Sequence, residues 1–245
     1  TNNNQDFLTL SNIPNLMGLN VQDREYIKNS PGVREVILSG GDPLTLSTSR
    51  LEKVLSDLRE IDHIEIIRIG TRMPVVCPMR VDKELVEMMK SYHPIFIMTH
   101  FNHPKELSLE AAEALSQLVD NGFPVMNQMV LLNGINNHEV IVQALSRRLL
   151  SLRVKPYYMF HCDPSRGTEH FQTSIQDSLK IQKNLWGKLS GLAMPHLSLD
   201  IPGGGGKVSF VPPFELERKE THSLFKGWDG YEASYINPDP GEILT

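Results

Sequence analysis

Five apolar, β-rich segments begin at Val33 (VREVIL), Ile64 (IEIIRI), Pro94 (PIFIMT), Pro124 (PVMNQMVLL) and Lys155 (KPYYMF). Each starts about thirty residues after the one before, the length of a strand–helix–strand unit. Helical patterns fill the gaps. Leu51, Val54, Leu55 and Leu58 recur at i, i+3, i+4 and i+7, with Ser49 and Glu52 spaced as a capping box. Leu85, Val86 and Met89 give a second apolar face, and Ala111, Ala112, Leu115, Leu118 and Val119 a third. Residues 173–190 give a fourth through Ile175, Leu179, Ile181 and Leu185. Such alternation requires parallel strands joined by right-handed crossovers. The fold is α/β, either a doubly wound sheet or a complete or partial (β/α) barrel. Asn127 and Gln128 inside a strand favour the barrel, because they need a polar lumen or partners.

The flanks read differently. The Asn-rich first 22 residues predict a loop leading into a short helix at 22–29. This divides the chain into a linker with a short helix (1–30), a barrel portion (31–207) and an irregular extension containing short strands (208–245). A net charge of −5, from 24 basic and 29 acidic residues, leaves no basic footprint for nucleic acid. No apolar run approaches the roughly 20 residues of a membrane span. Cys77 and Cys162 are too few for a disulfide framework and fit a reducing cytoplasm.

In parallel α/β folds the ligand site lies beyond the carboxyl ends of the strands. Those ends read SGGDP, GTRMP, THFNHP, LNGINN, HCDPSRG and DIPGGGGK. The last is the most unusual. Gly203, Gly204, Gly205 and Gly206 run straight into Lys207, which is either a surface lysine after a flexible loop or an amine for Schiff-base chemistry. A glycine run lets backbone N–H groups line an anion such as a phosphate, but the spacing is not that of a Walker loop. His100 and His103, at i and i+3 in a Pro-ended turn without further ligands, point to hydrogen bonding rather than metal. Asp163 and Asp200 either cap turns or, facing inward together, form a carboxylate pair suited to a distal ammonium group.

Together these stretches resemble the lysine 2,3-aminomutase family of radical S-adenosylmethionine enzymes. The resemblance runs from REYIKNSPGVREVILSGGDPL through THFNHPKE and KPYYMFHCDPSRGTEHFQT to SGLAMPHLSLDIPGGGGKV, residues 22–210. PGGGGK with its preceding aspartate is the most specific element. The family implies a radical-SAM barrel with a strand-rich tail. It also implies that Lys207 holds pyridoxal 5′-phosphate and that the glycines 203–206 let the loop pass close to that cofactor. Ser39, Gly40, Gly41 and Asp42 match the turn that meets the methionine amino group of S-adenosylmethionine, and His100 and Gln128 match positions near the same cosubstrate. Asp163 and Asp200 match the acids that hold the side-chain ammonium of a lysine substrate. The implied reaction moves the amino group of L-lysine from carbon 2 to carbon 3, using a 5′-deoxyadenosyl radical generated at a [4Fe-4S] cluster. A small amino-acid substrate and a homo-oligomer follow from the same resemblance.

The chain departs from the family in one respect. The cluster-binding C-x3-C-x2-C loop is absent, and two cysteines far apart in sequence cannot replace it. No metal ligands are therefore expected in this chain, which reads as the carboxyl-terminal part of a longer enzyme. Two alternatives remain: a cluster-less barrel that binds pyridoxal phosphate or an amino acid, and a Schiff-base lyase or aldolase using Lys207 without that cofactor.

Overall fold

The computed structural model describes residues 6–11, 19, 21–201 and 206–237. They fall into two compact units, Thr1–Met129 with Leu145–Tyr157, and Val130–Ala144 with Tyr158–Thr245.

The first unit begins with a correction. Phe7–Leu10 form a strand, β1, where the Asn-rich start predicts a loop. The expected short helix follows as α1 (Val21–Lys28). Then come β2 (Glu35–Leu38), α2 (Thr48–Arg59), β3 (Ile66–Thr71), the short α3 (Met73–Val76), α4 (Lys83–Lys90), β4 (Ile95–Thr99), α5 (Leu109–Asp120) and β5 (Val125–Val130). Successive strands pair in parallel, with Phe7 opposite Glu35, Glu35 opposite Ile66, Ile67 opposite Ile95 and Ile97 opposite Val125. Sequential order with a helix between neighbours is the pattern of a (β/α) barrel segment and not of a doubly wound sheet, whose order reverses at a switch point.

The predicted helix faces close this layer. Leu51, Val54, Leu55 and Leu58 of α2 are all inaccessible, as are Leu85, Met89, Leu115 and Leu118 on α4 and α5. Each such side chain contributes about 1.5–3 kcal/mol relative to exposure. The helix starts are fixed by side-chain caps: Ser47 accepts from the Arg50 N–H, Asp82 from Leu85 and Ser108 from Ala111. The cap of α2 is thus Ser47, not the expected Ser49. A two-residue shift keeps the apolar face unchanged, because that face is set by the leucine spacing and not by the cap.

Asn127 is buried, and of the two conditions the sequence sets, a polar lumen or partners, it meets the second. Its Oδ1 accepts from the Phe101 N–H at 2.7 Å and its Nδ2 donates to the Phe101 carbonyl at 3.0 Å. It fastens the turn after β4 to β5. Gln128 points to the opposite face of the strand, which it shares with Met126. Met126 lines a cavity of about 230 Å³ with Met98, Phe96, Glu35 and Arg68, and the last two form an ion pair. These two side chains are the charged part of that cavity's lining.

After α6 (Glu139–Ser151) comes β6 (Lys155–Phe160), whose last three residues open the second stretch of the second unit. There Tyr158–Phe160 pair in parallel with the start of β7 (His196–Asp200). Between them lies α7 (Ile175–Leu185). Its buried face is Ser178, Ile181, Gln182 and Leu185, not the purely apolar register expected, and Ile175 is exposed. Two polar residues are accepted because each has a partner: Ser178 Oγ lies 3.0 Å from His161 Nδ1, and Gln182 donates to the Pro195 carbonyl at 3.1 Å. β7 turns back into β8 (Lys207–Ser209) as an antiparallel pair. The strand-rich tail appears as β9 (Glu215–Arg218), β10 (His222–Lys226) and β11 (Glu232–Ile236), a three-stranded antiparallel sheet with β10 in the centre.

Candidate active site

In the first unit the turn after β2 sets the geometry. Gly40 and Gly41 have φ of 82° and 58°, two consecutive left-handed residues that a Cβ would strain. The turn delivers Asp42 beside the end of β3. Asp42 Oδ1 accepts from the Leu44 N–H at 3.0 Å and from the Thr71 hydroxyl at 2.7 Å, and Oδ2 accepts from the Arg72 N–H at 2.6 Å. A carboxylate has about four lone-pair sites. Three are occupied, so Asp42 joins two strand ends and retains acceptor capacity for one ligand donor.

A cavity of about 480 Å³ opens at this point, lined by Ser39, Gly41, Asp42, Thr71, Arg72 and His100 among others. Burial lowers the pKa of His100 below its ordinary value, and the positive charge of Arg72 lowers it further. Asp42 and a hydrogen bond to the backbone of Gln128 oppose that shift without reversing it. His100 is therefore a neutral imidazole at pH 7, fixed by a backbone group of Gln128 and able to accept with its other nitrogen. Ser39, Gly41, Asp42 and His100 share one cavity, while Gln128 takes part through its main chain. His103 belongs to local structure: its ring accepts from the Lys105 N–H at 3.1 Å. Thr71 and Arg72 escape the sequence reading, although GTRMP is a strand end. Arg72 binds Asp42 through its main-chain N–H, which has no side-chain signature.

In the second unit the focus is the hairpin of β7 and β8. Asp200 stands opposite Lys207, and Gly206 precedes it with φ of 77°. Lys207 Nζ donates to Asp200 Oδ1 at 2.8 Å and to Oδ2 at 3.1 Å. Beneath it lie two rings of β6, with Nζ 3.9 Å from the centroid of Phe160 and 5.4 Å from that of Tyr158. The rings stack on each other at 5.0 Å. The sequence reading missed this floor, although alternation along KPYYMF places Tyr158 and Phe160 on one face and could have found it. Gly203, Gly204 and Gly205 lie outside the described residues.

Asp163 is exposed and makes no ion pair among the described residues; Asp200 has Lys207 as its charged partner. Asp163 acts on its neighbours instead. Burial pushes the Cys162 thiol up and the nearby Asp163 charge adds to it, while burial lowers His161 against the pull of Asp163. No group of three or more His, Cys, Asp or Glu that could hold a metal ion occurs among the described residues. No described helix is long and apolar enough to cross a membrane.

The fold is that of the radical SAM enzymes. A radical SAM methyltransferase from Sphaerobacter thermophilus superimposes with a TM-score of 0.53 over 72% of this chain and 54% of that one, at 14% identity. Sequence carries the assignment further. Residues 182–242 match the family described as lysine-2,3-aminomutase. The L-lysine 2,3-aminomutase of Methanococcus maripaludis is 44% identical over 87% of this chain and 49% of its own length. The glutamate 2,3-aminomutase of Clostridioides difficile is 43% identical over 84% of this chain and 49% of its own. The chain belongs to the lysine 2,3-aminomutase family, and it spans about half the length of the curated relatives it matches.

Proposed function

We propose that this chain forms the part of a lysine 2,3-aminomutase that carries Lys207 and faces S-adenosylmethionine, the whole enzyme being an isomerase that converts L-lysine to L-β-lysine. The observation that supports this reading is the setting of Lys207. A lysine side chain about a third exposed is held at a strand end by one carboxylate and an aromatic floor, so its amine is reachable and oriented. That setting fits a cofactor bearing an aldehyde. When bound, pyridoxal 5′-phosphate supplies the carbonyl that takes an amino group covalently, and S-adenosylmethionine supplies the hydrogen-abstracting group. Lys207 anchors the carbonyl cofactor, and Asp200 holds the charged form of an amine next to it. Asp42, with one acceptor site in reserve, and neutral His100 receive N–H or O–H donors of the second ligand. The described residues do not fit an iron–sulfur cluster, since Cys77 and Cys162 are too few thiolates to hold one.

The acids Asp163 and Asp200 favour a substrate with a side-chain ammonium over glutamate, a choice that 44% and 43% identity to the two kinds of relative do not make. A small-molecule amino acid, a homo-oligomer and the cytoplasm belong to the same reading. The test is reduction with borohydride after adding pyridoxal 5′-phosphate, followed by peptide mass mapping. We expect the label on Lys207 and its loss in Lys207→Ala; a label that persists in that variant overturns the assignment. L-lysine should lower the label on Lys207 more than L-glutamate does, and equal effects would remove the preference for a basic substrate.

A further inference from the structure

Two neighbours hold the Lys207 amine. One is Asp200, in a two-oxygen ion pair at 2.8 and 3.1 Å. The other is Phe160, whose ring centroid lies 3.9 Å from Nζ. A cation within about 6 Å of a ring centroid is attracted by the ring quadrupole, whereas a neutral amine lacks the charge that this attraction acts on. A lysine amine attacks a carbonyl only through its unprotonated nitrogen. The surroundings that orient Lys207 therefore also restrain it. We infer that Phe160 is a positioning residue which, stacked on Tyr158 and acting with Asp200, holds the Lys207 amine in place and limits its reactivity until a carbonyl ligand is present. The inference rests on the reading of Lys207 as the reactive amine. It adds a residue whose contribution is neither charge nor hydrogen bonding. Asp200 is the charged side chain that faces Nζ in an ion pair, so the ring and this carboxylate account for the seat.

The experiment is competitive acetylation of the full chain with trace acetic anhydride near neutral pH. Peptide mass spectrometry reads Lys207 against the exposed Lys180 of α7. Phe160→Leu keeps apolar bulk but removes the ring face, and Phe160→Tyr keeps the face. Lys207 should react roughly two- to five-fold faster in Phe160→Leu than in the parent chain, and within about twofold of it in Phe160→Tyr. Phe160→Met serves as a second ring-less variant where the leucine variant loses its cooperative urea transition. Acceleration in Phe160→Tyr equal to that in the ring-less variants would show that the effect is not that of the ring face, and an unaccelerated Lys207 in both ring-less variants would show that the ring does not act on the amine. Either result overturns the inference. The acetylation readout does not depend on pyridoxal phosphate, so borohydride labelling that misses Lys207 would sink the proposed function while leaving this result to stand or fall by itself.

Discussion

Asp42 shows how one side chain can be structural and ligand-facing together. Three donors converge on its carboxylate, two of them main-chain N–H groups. Asp42→Asn replaces an acceptor oxygen with an NH₂ and leaves at least one of those donors unmatched. We expect a loss of about 1–3 kcal/mol in urea denaturation; parent-like stability would show that the carboxylate does not hold the two strand ends. His100 yields a pH prediction. Its folded pKa lies below the unfolded value of about 6.5 because burial disfavours the cation. The neutral form is present in both states above that value, so its contribution is intact there. As pH falls below about 6.5 the unfolded chain takes up the proton first, and stability is lost. Urea midpoints for the parent chain and His100→Gln should therefore diverge less at pH 5.5 than at pH 7.5, the variant lacking this acid-sensitive part. His161, shifted the same way, remains in both chains. At this scale the sequence exposes Asp42 and Lys207, since Gly-Gly-Asp and Gly-Lys are visible as letters. It hides Arg72, which acts through a peptide N–H that any residue but proline carries.

Arg59, at the end of α2, binds helix to strands. Its guanidinium donates to the carbonyls of Tyr92, Ile64, Glu65 and Pro94 at 2.9, 3.1, 3.3 and 2.7 Å. These carbonyls precede β3 and β4. Burial lowers the pKa of Arg59, the cost of desolvating a cation met here by carbonyl dipoles. Arg59→Met keeps much of the stem packing and deprives all four carbonyls, so stability should fall by about 2–4 kcal/mol in chemical denaturation. A change under about 0.5 kcal/mol would mean that water replaces the guanidinium. At this scale the thirty-residue rhythm located β2 to β6, because buried parallel strands need apolar runs whatever their loops contain. β1 escaped because its edge is satisfied by pairing with β2, which composition does not report. Helix α6 escaped for a different reason. Val142, Leu145 and Leu149 have helical spacing and are buried, but the β-branched run Val140–Val142 weakens the local helical signal. Asn127 left two alternatives open, because a buried amide signals a need without saying whether a lumen or the backbone of Phe101 meets it.

Across the whole chain, each unit draws on two separated segments. A chain ended after Tyr157 keeps every residue of the first unit, while one ended after Met129 lacks Leu145–Tyr157. The longer should give the steeper urea transition, because m scales with the surface exposed on unfolding; equal slopes would mean that Leu145–Tyr157 contributes no burial to that unit. The family was legible at this scale from motifs in the right order, whereas the preference for lysine over glutamate hangs on two acids and not on overall likeness. The interleaving also has a temporal side. Residues leave the ribosome in order, and amino-terminal parts generally fold first during synthesis. Val130–Ala144 emerges before the first unit has received its last segment, Leu145–Tyr157, and long before its own partners have been made. While translation runs, this stretch is therefore a guest with no host, and a ribosomal pause just after it would leave it the exposed part of the nascent chain for the longest time.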